Sequence, residues 1–179
     1  MSMKRIAGGV NAAKGFSAAA TACGIKRTPP KNGVRRDDLC LVVSETVATA
    51  AGVFTTNLVK AAPVLLSRRH LASGRARAIL LNSGNANACT GIPGLRAAEQ
   101  CANAVAVSLG IDADEVLVCS TGRIGVQLPL AKMLPGISSA SSSLKASPAA
   151  AMAAAKSIMT SDSVPKQSAY EVKVGSKSF

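Results

Sequence analysis

Tryptophan is missing from this 179-residue chain, and aromatic residues make up only 2% of it. Hydrophobic residues reach 48%, so a core can form, but it has to be built from Ala, Val, Leu and Ile. Such a composition points to helices packed closely against a sheet rather than to a large aromatic-lined pocket. Histidine occurs once, at His70, which makes Ser-His-Asp chemistry a poor fit. The five cysteines (Cys23, Cys40, Cys89, Cys101 and Cys119) include no C-x-x-C pair. They read as reduced, buried thiols of a cytosolic protein, not as a disulfide frame or a zinc site. Acids are scarce as well: 9 Asp plus Glu stand against 21 Lys plus Arg, a net charge of +12. That excess admits nucleic acid, an acidic partner subunit or anionic small substrates. No apolar run is long enough for a membrane span, and the basic first residues are not followed by a signal-peptide core. The Ala-rich, acid-free residues 1–36 leave a mitochondrial transit peptide open.

Length suits one domain, taken here as residues 1–179. Residues 1–33, with Gly8-Gly9, an Ala run and Thr28-Pro-Pro-Lys-Asn-Gly33, read as an irregular arm that leads into a turn. Leu39-Cys-Leu-Val-Val43 is a first core strand. Ala48 to Phe54 reads as a second strand bulged near Gly52, Pro63 to Leu71 as a short helix with Arg68, Arg69 and His70 on its polar side, and Ala76 to Leu81 as a third strand. Leu95, Ala98, Ala102, Val105 and Leu109 recur at helical spacing, so a helix is expected over 94–109, stopped by Gly110. Leu128 to Leu134 reads as a short helix ended by Pro135-Gly136, residues 138–147 as a flexible Ser/Ala linker, and Pro148 to Met159 as an Ala-rich helix. Tyr170 to Val174 alternates polar with apolar, and Gly175-Ser176 suggests a hairpin turn. A hairpin with one full arm would leave a strand edge unpaired, so the chain is expected to be a fragment or to be completed by another polypeptide.

Two polar stretches sit where strands end. The first is Asn82-Ser-Gly-Asn-Ala-Asn-Ala-Cys-Thr-Gly91. Its amides suit a long, self-satisfied turn or a wall of donors and acceptors for a small polar substrate. The second is Val116-Leu-Val-Cys-Ser-Thr-Gly-Arg-Ile-Gly125, where an apolar run delivers two hydroxyls and a glycine. Ser120-Thr-Gly122 suits an ordinary turn. It also suits an oxyanion hole, in which a hydroxyl and an unshielded peptide N–H await a developing negative charge. A nucleic-acid role finds little support: the basic residues are scattered, and only Phe16, Phe54, Tyr170 and Phe179 could stack on bases.

Taken in order, Gly52-Val-Phe-Thr-Thr-Asn57, Lys60-Ala-Ala-Pro63, Asn82 to Gly91, Ser120-Thr-Gly-Arg-Ile-Gly125 and Ile158-Met-Thr-Ser-Asp-Ser-Val-Pro-Lys166 closely resemble the α-chain of the ornithine acetyltransferase (glutamate N-acetyltransferase) family. The resemblance runs from Lys14-Gly-Phe16 onward. It implies an α/β (mixed α+β) fold, a layered sandwich of helices against mixed sheets. It further implies a precursor that cleaves itself before a threonine, the new N-terminal Thr of the β-chain being the nucleophile. That Thr would carry acetyl from N2-acetylornithine to glutamate, its own α-amine acting as base. By position, Thr121 and Gly122 match the family's oxyanion residues and Thr160 its substrate-contacting threonine. Ser161 stands where the family has a second threonine, and Arg123 where it commonly has an apolar residue. The family's cleavage site would fall after Phe179. The partners implied are the β-chain, in an α2β2 heterotetramer, and the two small substrates, with neither nucleic acid nor membrane. No cofactor is implied, although acetyl-CoA remains open as a co-substrate. The location is the cytoplasm, or the mitochondrial matrix in a eukaryote. A related self-processing amidase or aminopeptidase is the alternative.

Overall fold

Alternation decides the central sheet. In Leu39–Thr49, Leu39, Leu41 and Val43 face one way while Cys40 and Val42 face the other, and both sets find partners. The computed structural model describes residues 2–27, 33, 35–175 and 177–178. Its elements are β1 (Ser2–Ile6), β2 (Phe16–Thr21), β3 (Leu39–Thr49), α1 (Ala62–His70), β4 (Arg75–Asn85), α2 (Gly91–Leu109), β5 (Val116–Arg123), α3 (Leu130–Ser142), α4 (Pro148–Ser157), β6 (Ala169–Val174) and β7 (Lys177–Ser178). Four strands form the main sheet in the order β2-β3-β4-β5. The first two pairings are antiparallel and β4–β5 is parallel, as expected where a helix, here α2, carries the chain across the sheet.

The sheet is covered on both faces. Leu39, Leu41, Leu80, Val116 and Val118 pack under α1, α2 and α3 through Leu66, Val105, Met133 and Ile137. The opposite face is thinner: Ala18, Cys40 and Leu81 meet α4 through Ala150 and Ala154. The core is aliphatic and alanine-rich, as the shortage of aromatics requires.

Several expectations need correction. The arm over 1–33 contains two strands. β1 pairs antiparallel with β6, Met3 opposite Val172, and β2 forms an edge of the main sheet. The Thr28–Gly33 turn lies mostly outside the described residues. β6 therefore lies between β1 and β7 in a small second sheet and is paired on both sides. The expected strand over 48–54 does not form. β3 runs to Thr49, with its register shift between Val43 and Ala48, and 50–61 has no regular structure. The linker over 138–147 is partly helix, because α3 continues through Pro135 and Gly136 to Ser142. Gly136 is a contact rather than a stop, since a Cβ there would strike Cys23 Sγ. The expected helices over 63–71, 94–109 and 148–159 stand as α1, α2 and α4 with small shifts of their ends. Ser147 caps α4, its Oγ accepting from Ala150 N at 3.2 Å.

Candidate active site

β4 and β5 run parallel and deliver both polar stretches to the same end of the sheet. Asn82 lies opposite Ser120, Ser83 opposite Thr121 and Gly84 opposite Gly122. The two stretches have opposite characters. Asn82, Ser83, Asn85 and Asn87 are buried, and their amides are already committed. Asn82 Nδ2 donates to Asn85 O at 2.8 Å, and Asn82 Oδ1 accepts from Ser120 Oγ at 2.6 Å. Asn85 donates to the carbonyls of Val126 and Gln127 and accepts from Asn87 N. Asn87 ties Gly94 O to Thr90 Oγ1 and adopts a left-handed φ of 46°. The amides thus make a buried, self-satisfied frame rather than a substrate wall.

Thr121 and Gly122, by contrast, are exposed. β5 is an edge strand, and α1 covers only its first half. Ser67 Oγ donates to Val118 O at 2.7 Å and accepts from Val118 N at 2.9 Å, while His70 Nδ1 donates to Val116 O at 2.8 Å. His70 is therefore buried and structural, not solvated among the arginines as its sequence neighbours suggest. Main-chain groups at Val116 and Val118 point out of the edge, and on the inner side Arg123 O accepts from Ala86 N. Strand alternation then turns the N–H of Gly122 outward too, beyond the cover of α1.

Gly122 can be nothing else. Its φ is +131°, and a Cβ would lie 2.6 Å from Asn85 N and 2.7 Å from Gly84 Cα. Gly84 in turn has φ +99° and is pressed by the 25–26 peptide, where a Cβ would come within 2.8 Å of Lys26 N. Arg123 is half-buried, and its Nε donates to Gly84 O at 3.2 Å.

Behind this stack lies Asp38, fully buried. Its Oδ1 accepts from Cys23 N at 2.7 Å, and its Oδ2 from Ile25 N and Lys26 N at 2.6 and 3.0 Å. Lys26 Nζ donates to Asp37 O at 3.0 Å and Ser157 O at 2.9 Å. Burial, opposed by Asp38, lowers the Lys26 ammonium below its usual range. Sequence reasoning missed both residues. The one cue was a pair of acids just before an apolar strand.

Thr160 is exposed on the loop after α4, its N–H donating to Asp162 Oδ2 at 3.3 Å. Lys166 bonds to Asp162, and this contact, ahead of the Thr160 N–H, holds the Asp162 carboxyl below the usual range. Ser83 Oγ and Lys26 Nζ both donate to the carbonyl of Ser157, which anchors the end of α4 beside the Ser83–Thr121 row. Three residues of chain reach at most about 11 Å, so Thr160 lies within that distance of Ser157. On that face a cavity of about 190 Å³ opens between α4 and the sheet, lined by Val42, Leu81, Ala154 and Ile158 among others. Three of the cysteines are held as thiols. Burial pushes Cys23 and Cys101 up to about 12 and Cys40 up to about 11, Asp38 adding to the effect at Cys23. Cys89 and Cys119, expected to be buried, are exposed. Among the described residues, no group of three or more His, Cys, Asp or Glu would hold a metal ion, and no helix is long and apolar enough to cross a membrane.

A mixed α/β chain with this arrangement has close counterparts among solved structures. One is the arginine biosynthesis bifunctional protein ArgJ of Bacillus halodurans, with a TM-score of 0.91 and 36% identity over 99% of this chain and 89% of that one. Another is the ornithine acetyltransferase of Mycobacterium tuberculosis complexed with ornithine, with a TM-score of 0.87 and 45% identity over 94% and 88%. The profile of the ArgJ family matches residues 17–179, and the chain belongs to that family. The arginine biosynthesis bifunctional proteins ArgJ of Symbiobacterium thermophilum and Gloeobacter violaceus are 46% and 47% identical to it, over 97% and 96% of this chain. The chain spans only 42% and 41% of the length of these two relatives.

Proposed function

We propose that this chain is the oxyanion-bearing part of a two-chain acetyltransferase that moves acetyl from N2-acetylornithine to glutamate. The observation that carries the reading is the outward N–H of Gly122 beside the exposed Thr121 hydroxyl, on the half of the β5 edge that α1 leaves open. A threonine at the start of a partner chain attacks the acetyl carbonyl. Its own α-amine takes the hydroxyl proton, the oxygen becomes negative, and Thr121 and Gly122 stabilise it. The C–N bond breaks, the proton passes to the departing amine of ornithine, and an acetyl-threonine ester remains. Glutamate's amine then attacks this ester through the same hole, giving N-acetylglutamate and free threonine.

Several observations support the reading. The Mycobacterium tuberculosis relative is described with ornithine bound. The curated relatives are more than twice as long as this chain, whereas the matching solved chains are covered to nearly nine-tenths. That contrast fits a product divided into two polypeptides, here assembled as an α2β2 heterotetramer. His70, the sole histidine, is committed to Val116 O, so a base supplied by the partner's amine is the economical choice. The net charge of +12 suits substrates that carry carboxylates. Thr160 contacts the acetyl donor from the loop after α4. Acyl transfer of this kind requires no cofactor. The setting is the cytoplasm, or the mitochondrial matrix in a eukaryote.

The test is to incubate the purified protein, with any co-purifying chain, with acetyl-labelled acetylornithine and glutamate. Label in N-acetylglutamate, and a co-purifying chain that begins with threonine and gains one acetyl group, are expected. Release of the label as free acetate would indicate an amidase instead, and absence of a second chain would overturn the two-chain reading.

A further inference from the structure

We infer that Asp38, which contacts no reacting atom, is the positioning residue that fixes the oxyanion peptide of Gly122. The inference rests on the oxyanion reading given above.

The chain of contacts is short and made almost entirely of main chain. Asp38 holds three N–H groups of one loop, those of Cys23, Ile25 and Lys26, at 2.6 to 3.0 Å. Three donors converging on two oxygens require an acceptor-only carboxylate. An amide in its place would turn an NH2 toward at least one N–H. The Asp38 main chain is fixed on both sides, its N–H donating to Thr21 O at 3.1 Å and its carbonyl accepting from Ser83 N at 2.8 Å. The carboxylate is thus referenced to β2 and β4 together. It presses the 25–26 peptide onto Gly84, so closely that a Cβ on Gly84 would lie 2.9 Å from Lys26 Cα and 3.0 Å from Ile25 C. Gly84 meets Gly122 with no side chain between them. Three backbone layers are therefore in direct contact, and backbone atoms cannot change rotamer to absorb a displacement. A shift at 25–26 is transmitted to the peptide whose N–H faces the substrate.

Asp38→Asn in the complete two-chain protein is the first test. A displaced oxyanion donor costs turnover more than substrate affinity, so kcat should fall about 10- to 100-fold while KM for acetylornithine stays within about twofold. The amide resonances of Gly84 and Gly122 should move, and the Asp37→Asn variant should leave kcat and both resonances in place. Unmoved resonances in folded Asp38→Asn, or a kcat that falls only in proportion to the folded fraction, would overturn the inference. Native-state hydrogen exchange on the unaltered protein tests the first link, from the Asp38-held loop to Gly84, without any variant. The Ile25, Lys26 and Gly84 amides should open together, with one denaturant dependence, whereas independent opening of the 25–26 amides rejects the coupling. Should the unaltered protein transfer no acetyl group, the oxyanion reading fails, and the exchange data still show whether the loop held by Asp38 is coupled to Gly84.

Discussion

The ends of β4 and β5 lie side by side, and both are polar, yet they do different work. Past Leu81 the amides of Asn82, Asn85 and Asn87 are buried and bonded to one another or to nearby carbonyls. Past Cys119 the hydroxyl of Thr121 and the peptide of Gly122 meet solvent. Similar composition therefore hides a division between a frame, which spends its polar groups internally, and an open edge, which keeps them free. The lesson is general: a buried polar group that is fully bonded stabilises a shape, and only an unspent one can meet a substrate.

The division can be broken from either side. Gly122→Ala should have the largest effect. Its methyl would enter the Gly84 backbone, which cannot yield, and we expect about 3 kcal/mol or more of destabilisation by thermal unfolding. Asn85→Ala strands the buried Asn87 N–H and frees the carbonyls of Val126 and Gln127 and should cost about 1–3 kcal/mol. If that variant unfolds like the parent, the amides are not the frame described here. Thr121→Ala should change stability by less than about 0.5 kcal/mol yet lower turnover roughly ten- to a thousandfold; a near-normal kcat would remove Thr121 from the oxyanion hole. Thr160→Ala, on its exposed loop, should mainly raise KM for the acetyl donor with stability unchanged, and an unaltered KM would place it outside the site.

The smallest effect concerns the thiols. Only the thiolate is alkylated, and a raised pKa means less of it at any given pH. With Cys23 and Cys101 pushed up to about 12 and Cys40 to about 11, these three should resist iodoacetamide in the folded protein from pH 7 to 9, while exposed Cys89 reacts. Peptide mapping after brief labelling checks this. Early labelling of Cys40 would mean that α4 lifts from the sheet.

Much of this arrangement was legible beforehand, and the rest was hidden for identifiable reasons. The Val116–Val118 run predicts a strand that hands its hydroxyls to one end of a sheet, and β5 does so. The sequence gives no sign that the outer edge of β5 is half closed, because Ser67 and His70 reach it from a helix some fifty residues earlier in the chain. The asparagines look like a turn because they so often form one, whereas here β4 continues to Asn85 by burying amides that satisfy one another. Pro135-Gly136 reads as a helix end. Yet Pro135 lies early in α3, where its missing N–H frees only the Ala131 carbonyl, and Gly136 is required by the approach of Cys23. β1 is exposed throughout and carries no burial pattern at all. Its partner lies too far along the sequence for any local signal to reveal it.

That last pairing also bears on how the protein is made. Strand β1 is made before every other element described here, but the residues it must meet, Ala169 to Lys173, are synthesised only after the main sheet and the helices α1 to α4. Until then its backbone groups stay hydrated and unpaired, and closing so long a loop is an entropic cost that local structure cannot offset. The small sheet therefore assembles after the main one, so translation that pauses before residue 169 leaves a main sheet already formed and β1 still searching for its mate.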